Sequence, residues 1–249
     1  MKYVRYLQQG RTSYGLLEGE TIKEIRGGLF GERAETGNKV ALASVKLLGP
    51  CEPGKVLAVG LNYKSHIGDR PAPKNPEIFF KATSSLVEPG GDIVIPPGAN
   101  NVHFEGELVV VIGKNARKVS IADAVSCIFG YTCGNDVSER DWQKNDLQWW
   151  RAKGSDTFAP LGPAVATGLD YKKSRLQTRV NGQVKQSQFL SDLIFDAPTV
   201  VSFVSQFVTL LPGDVIYTGT PGATSAMKPG DIVEVEIDGI GILQNKVVA

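Results

Sequence analysis

The sequence predicts a mainly-β (α+β) fold, and three observations carry that reading. Gly (28 residues) and Pro (14 residues) are plentiful in the 249-residue chain. They often stand side by side, as in Pro97-Gly98, Pro212-Gly213 and Pro229-Gly230, and such pairs mark turns. The apolar runs are short and Val-rich, as in Leu108-Val109-Val110-Val111-Ile112, which is the length of a buried strand. Other segments alternate polar and apolar residues with a period of two.

Composition bounds the rest. With 42% hydrophobic and 21% charged residues the chain can bury a sizeable core without disulfides. A formal net charge of +1, with no basic run that could track a phosphate backbone, makes nucleic acid an unexpected partner. Cys51, Cys127 and Cys133 are odd in number and form no CxxC pair, which fits a reduced, cytoplasmic compartment. The first residues alternate like a strand and lack a leader's apolar block, and no stretch approaches 18 consecutive apolar residues, so a membrane span is not expected.

In chain order, residues 2–8, 13–18 and 21–25 read as three strands turning at Gly10 and Gly19. After Gly27-Gly28 comes a short polar segment. Residues 1–50 therefore read as a small N-terminal β-rich lobe, ending near Leu48-Gly49-Pro50, with a main domain over 51–249. Lys55–Gly60 is a buried strand. It leads into a Pro-rich connection carrying His66 and Asp69, before a strand over 77–81. Long connections of this kind commonly bind ligands. If Tyr63–Asp69 forms a helical turn, His66 and Asp69 share a face, and the carboxylate would orient the imidazole. The competing reading is an exposed His on a mobile loop.

Residues 101–113 form the centre of the chain. His103, Glu105 and Glu107 fall at steps of two, which on a strand puts them on one face. Paired carboxylates at the end of a buried strand need a positive charge, and a divalent cation is the simplest. A solvated strand end is the alternative. A helix begins at Ser120, with Ser120 as its cap. Residues 128–133 are another buried strand, ending at Asp136, which is either a third oxygen ligand or the cap of the next helix. Lys153, set among small residues, suits an anionic ligand, or is an ordinary surface lysine. Asn181-Gly182 predicts a hairpin over 177–186, and the spacing of apolar residues predicts a helix over 198–210. Strands follow the turns at Pro212-Gly213-Asp214 and Pro229-Gly230-Asp231. The loop Thr218-Gly219-Thr220-Pro221-Gly222 offers hydroxyls and N–H groups to a carboxylate, or is a plain turn. A tight turn at Asp238–Gly241 closes the last hairpin.

Six motifs now stand in order: Gly60-Leu61-Asn62-Tyr63 with His66, Phe79-Phe80-Lys81, His103-x-Glu105-x-Glu107-Leu108, Gly134-Asn135-Asp136-Val137-Ser138-x-Arg140-Asp141, Lys153-x-x-Asp156-x-Phe158-Ala159-Pro160-x-Gly162-Pro163, and Thr218-Gly219-Thr220-Pro221. Over residues 50–249 this pattern resembles the fumarylacetoacetate hydrolase superfamily, in its short bacterial, acylpyruvate hydrolase and oxaloacetate decarboxylase-like branch. The resemblance implies a mixed β-sandwich roll with short peripheral helices, and a homodimer. It implies that Glu105, Glu107 and Asp136 bind Mg²⁺ or Mn²⁺, with Ca²⁺ as a substitute in a crystal, and it demotes His103 to a neighbour of the metal. It implies a lid dyad, here His66 with Asp69 in place of the family's Glu. Lys153 and Gln143 map to the catalytic lysine and glutamine, and Tyr63, Arg140 and Thr220 to the substrate side. Leu61 stands where some members have Arg. The implied substrate is a small 2-oxo acid. The implied reaction is C–C hydrolysis of a 1,3-diketo acid through a metal-bound pyruvate enolate, with His66 activating the water. Oxaloacetate decarboxylation or tautomerisation and 2-hydroxyhepta-2,4-diene-1,7-dioate isomerisation are alternatives on the same site. A metal-binding scaffold without activity is the non-enzymatic reading, favoured by Asp69.

Overall fold

The computed structural model describes residues 1–249. The elements run in chain order as β1 (Lys2–Gln8), β2 (Arg11–Glu18), β3 (Thr21–Arg26), β4 (Ala34–Ala41), β5 (Lys46–Leu48), β6 (Val56–Gly60), α1 (Lys64–Ile67), β7 (Glu77–Lys81), β8 (Leu86–Val87), β9 (Asp92–Val94), β10 (Val102–His103), β11 (Gly106–Ile112), α2 (Ile121–Cys127), β12 (Ile128–Asn135), β13 (Ser138–Glu139), α3 (Arg140–Asn145), α4 (Trp150–Gly154), β14 (Ala159–Ala166), β15 (Arg175–Val180), β16 (Gln183–Phe189), α5 (Ala197–Ser205), β17 (Val215–Tyr217), β18 (Ile232–Ile237) and β19 (Gly241–Val248). No helix is long and apolar enough to cross a membrane.

One mixed sheet is the frame. Its strand order is β4-β3-β2-β1-β14-β12-β11-β17-β6-β7, with β5 alongside β1 and β8 alongside β14. The N-terminal strands are thus hydrogen-bonded into the main sheet, because Lys2 and Tyr3 of β1 pair antiparallel with Ala166 and Val165 of β14. β11 lies near the middle, between β12 and β17, and its seven residues are all buried. Leu108, Val110 and Ile112 face one core, shared with Val235, Ile237 and Leu243 of a second, five-stranded sheet and with Val200, Val201 and Val204 of α5. Val109 and Val111 face the other, with Tyr3, Ile25 and Tyr217. Burial on both faces explains why this strand reads as an unbroken apolar run.

Local chemistry sets the element ends. The β15–β16 hairpin turns at Asn181 (φ 51°) and Gly182 (φ 77°), the left-handed pair expected of an Asn-Gly turn. Ser120 caps α2 by accepting the Asp123 N–H at 3.1 Å. Three expectations are corrected. The helix expected over 198–210 stops at Ser205; Leu210 instead bridges to Ala116, so its apolar spacing serves an extended segment. The polar segment after Gly28 contains β4, which has no buried residue and so carries no apolar alternation. The strand over 101–113 is broken. β10 pairs with β13 and β11 with β12, and Phe104-Glu105 lies in the step between them.

Leu57 on β6 is fully buried in the larger core. Leu57→Ala is expected to lower unfolding stability by about 2–5 kcal/mol, read as a lower urea midpoint with an unchanged slope.

Candidate metal centre

The site grows from the β11–β12 register. Gly106 sits opposite Asn135 and Glu107 opposite Gly134, so the residues just beyond the ladder, Glu105 and Asp136, meet. The Asp136 N–H donates to Glu105 O at 2.8 Å. The Glu105 N–H donates to the Asn135 side-chain oxygen at 2.9 Å, which takes it out of the ladder. That step brings Glu105, Glu107 and Asp136 together, all buried, with one oxygen from each within 4.8 Å of the others. It also turns His103 elsewhere. Its ring nitrogens meet Thr224 Oγ1 (2.9 Å) and Asn101 Oδ1 (2.8 Å). Burial, and then the Arg140 charge, depress its basicity. Asp136 is no helix cap, since Glu139 caps α3 by accepting the Trp142 N–H at 2.6 Å.

Three cations face the three carboxylates. Lys153 Nζ bridges Glu105 Oε2 (2.6 Å) and Asp136 Oδ2 (2.8 Å). Arg140 Nη2 donates to Glu105 Oε1 at 2.5 Å. Lys81 Nζ, wholly buried at the end of β7, donates to Asp136 Oδ1 at 2.5 Å and to the Lys153 carbonyl. Burial opposes ionisation of Glu105, but the Lys153 and Arg140 charges outweigh it and hold the carboxyl well below the usual range. Burial likewise opposes the Lys153 charge, and Asp136 with Glu105 overcomes it. Burial pulls Lys81 below its ordinary value, with Asp136 resisting.

Glu107 is the odd member. Burial, then the charges of Asp136 and Glu105, push its carboxyl well above the usual range. Its one strong donor is the Gly219 N–H at 2.7 Å. Gly219 is required there: its φ is 99°, and a Cβ would stand 2.7 Å from Asn62 Cβ. The Thr218–Gly222 loop therefore does bind a carboxylate, and it is the protein's own. The loop's hydroxyls are spent on β11, Thr218 Oγ1 on Leu108 O and Thr220 Oγ1 on Gly106 O, each at 2.9 Å.

These residues fit a divalent cation. An all-oxygen carboxylate set suits Mg²⁺ or Mn²⁺ over zinc, and burial beside Asp136 and Glu105, which raises Glu107, is a setting an added cation would relieve. Glu105, Glu107 and Asp136 would hold the ion.

A narrow pocket of about 40 Å³ opens beside the carboxylates, lined among others by His66, Arg140, Gln143, Lys153 and Thr220. These five expected site residues are thus brought together. Arg140 Nη1 donates to Gln143 Oε1 at 2.7 Å. His66 lies with Nε2 4.0 Å from Glu105 Oε1. Two expected roles are not met. Asp69 is exposed and forms neither a hydrogen bond nor an ion pair with His66. The helical turn ends at Ile67, and Gly68 (φ 61°, ψ −130°) reverses the chain, so the i, i+3 relation fails. The His66 Nδ1 partner is Gly222 O at 2.7 Å. Tyr63 lies outside the pocket, fully buried in the larger core behind it, with its hydroxyl unpartnered. The apolar neighbours of the motif, not its hydroxyl, fix its position.

Two residues went unassigned in the sequence reading. Lys81 ends an apolar strand, where an unpaired lysine is rare, and that was the available signal. Gln186, buried on β16, accepts the Gly106 N–H (3.1 Å) and donates to Thr220 Oγ1 (2.8 Å) and Pro221 O (2.6 Å). It ties the second sheet to the site, and nothing in its polar, exposed surroundings in the sequence announced it.

Fold and site together define a β-rich protein with a buried centre of three carboxylates that could hold a divalent cation. A fumarylacetoacetate (FAA) hydrolase C-terminal family model matches residues 55–248, and an Rv2993c-like N-terminal model matches residues 1–50. The chain belongs to the fumarylacetoacetate hydrolase family. The crystal structure of 5-carboxymethyl-2-hydroxymuconate delta-isomerase from Mycobacterium smegmatis is similar, with a TM-score of 0.94 at 44% identity, over 100% of this chain and 99% of that one. The mitochondrial oxaloacetate tautomerase FAHD2A of Homo sapiens is 42% identical over 221 residues, 83% of this chain and 70% of that protein. Maleylpyruvate hydrolase from Sphingobium sp. SYK-6, in complex with manganese(II) ion and pyruvate, has a TM-score of 0.83 at 28% identity, over 100% of this chain and 99% of that one. These relatives are enzymes, and their reactions differ.

Because burial and the charges of Asp136 and Glu105 raise the Glu107 carboxyl, and a bound cation favours its ionised form, affinity for Mg²⁺ or Mn²⁺ should strengthen as pH rises. Calorimetry in two buffers of different ionisation enthalpy should report net proton release on binding; Glu107→Gln should reduce that release.

Proposed function

We propose that this chain is a divalent-cation-dependent enzyme that shifts a proton within a small 2-oxo acid, by tautomerisation or isomerisation. The observation that carries the reading is the setting of His66. A carbonyl oxygen only accepts, so the contact with Gly222 O assigns the hydrogen of the neutral ring to Nδ1. The Nε2 lone pair is left at the pocket, facing the carboxylate centre. Asp69 does not reach the ring, so nothing resembling a His–carboxylate dyad is arranged to activate water.

The cation held by Glu105, Glu107 and Asp136 would supply Lewis-acid polarisation of a 2-oxo carboxylate. That acidifies the neighbouring C–H. His66 Nε2 takes the proton from that carbon and returns it at the oxygen or at a conjugated carbon. The Lys153 ammonium and Arg140 guanidinium, already oriented by Glu105, stabilise the negative charge that develops. Trp149 and Phe79 give the pocket an apolar wall.

C–C hydrolysis of a 1,3-diketo acid, or decarboxylation of oxaloacetate, would use the same enolate and forms the second reading. Gln143, open to the pocket beside His66, supports it by offering a site for a water. So does the similarity to a maleylpyruvate hydrolase. We also propose a homodimer. Exposed Phe80 on the edge strand β7, with Leu147 and Trp150 following α3, provides apolar surface for it.

Oxaloacetate enol-to-keto conversion, followed by loss of enol absorbance, should be accelerated with Mg²⁺ or Mn²⁺ and abolished by chelator. His66→Ala should slow it by about 100-fold or more, whereas Asp69→Asn should change it by less than about threefold. An Asp69→Asn loss equal to that of His66→Ala would restore the dyad and favour hydrolysis. No turnover of oxaloacetate, acylpyruvates or hydroxydiene diacids would leave the chain a binding scaffold.

A further inference from the structure

The strand β16 buries one of its residues, and that residue is polar. Gln186 is 3% exposed, whereas Val184 on the same strand is 53% exposed. Ordinary burial against a core would favour the reverse, so the position of Gln186 serves something other than the core. Gln186 stands opposite Thr178 of β15. The two press on Gly106, where a Cβ would overlap Thr178 Oγ1 and stand 3.3 Å from Gln186 Oε1. Gly106 lies between Glu105 and Glu107, so the second sheet reaches the backbone of the carboxylate centre itself.

The Gln186 amide joins two parts of the site. Its Oε1 accepts the Gly106 N–H at 3.1 Å, and its Nε2 donates to Pro221 O at 2.6 Å. The Pro221 carbonyl shares a peptide group with the Gly222 N–H. Ser65 Oγ accepts that N–H at 3.0 Å. The Pro221–Gly222 peptide is therefore gripped at both of its polar groups, by Gln186 from the second sheet and by Ser65 from α1. The next carbonyl, Gly222 O, accepts the His66 Nδ1–H at 2.7 Å. α1 carries both Ser65 and His66, has four residues and no side-chain cap, and buries Ile67 alone. A helical turn that short does not hold a position by itself. The ring is placed by the peptide it leans on.

We propose that Gln186 and Ser65 are positioning residues, which act through the Pro221–Gly222 peptide to fix the tautomer of His66 and its place beside the carboxylate centre. This rests on His66 as the base in the reading above. Neither residue lines the pocket, so neither meets the substrate. Gln186 ties the peptide between Glu105 and Glu107 to the one beneath His66, and the two halves of the site are held as one body. Ser65 closes the same grip from the side of the base. Loss of either leaves the Gly222 carbonyl free to shift, and the ring with it.

The chain has two histidines, so nitrogen NMR can read the ring directly, with His66→Ala assigning the signals. In the metal-free wild type at about pH 8, above the ordinary histidine value, His66 should carry its hydrogen at Nδ1. Gln186→Met and Ser65→Ala should each shift it toward the mixed tautomers of a free imidazole. In oxaloacetate enol-to-keto conversion with Mg²⁺, Gln186→Met should lower kcat about tenfold or more and Ser65→Ala about threefold, with KM changed by less than about twofold. In a His66→Ala background each should change the rate by less than about twofold, because the ring through which it acts is gone. Ser65 is exposed, so Ser65→Ala decides by the same readings if Gln186→Met does not fold. An unmoved tautomer, an unmoved kcat, or equal losses in the two backgrounds overturns the positioning role and leaves the 2-oxo acid reading intact. A His66→Ala rate equal to that of the wild type, or no turnover by the wild type, overturns the reading and the positioning role together.

Discussion

Three carboxylates within 4.8 Å of one another, buried in one place, are the constraint on which the structure depends. At an effective dielectric of about 20, two unit charges at that separation repel by roughly 3 kcal/mol. The chain answers with Lys153, Arg140 and Lys81, and leaves the Glu107 carboxyl raised well above its usual range. Each cation comes from a different element. α4, the start of α3 and the end of β7 must therefore all dock on the β11–β12 ladder for the charges to balance. The large mixed sheet supplies that rigidity by burying β11 on both faces.

Much of this was legible in the sequence because short-range spacing carried it. A period of two brought Glu105 and Glu107 near each other, and a strand end delivered Asp136. The Asn181-Gly182 turn and the Ser120 cap were read from local chemistry that depends on two or three residues. What failed depended on backbone steps or on long-range packing. His103 left the carboxylate face because Glu105 sits in a break between two strands with different partners. Asp69 left His66 because Gly68 reverses the chain. Lys81 and Gln186 reach the centre from sequence positions 55 and 80 residues away from their partners, and no local pattern specifies such a meeting. The strand β4 was invisible because exposure on both faces removes the alternation that reveals a strand.

The same geometry connects the site to chemistry. The centre lies at the floor of a narrow pocket, His66 stands at its side with its tautomer fixed by a backbone carbonyl, and a cationic rim faces solvent. The relatives in this family differ in reaction.

The central claim is that Glu105, Glu107 and Asp136 together form one divalent-cation site. Titration of the protein with Mn²⁺, with the free ion counted by electron paramagnetic resonance, tests it most directly. One ion per chain should bind, and Glu107→Gln should weaken it by about tenfold or more, through loss of an anionic ligand. Absence of binding to the wild type, or equal binding by the variant, would contradict the account.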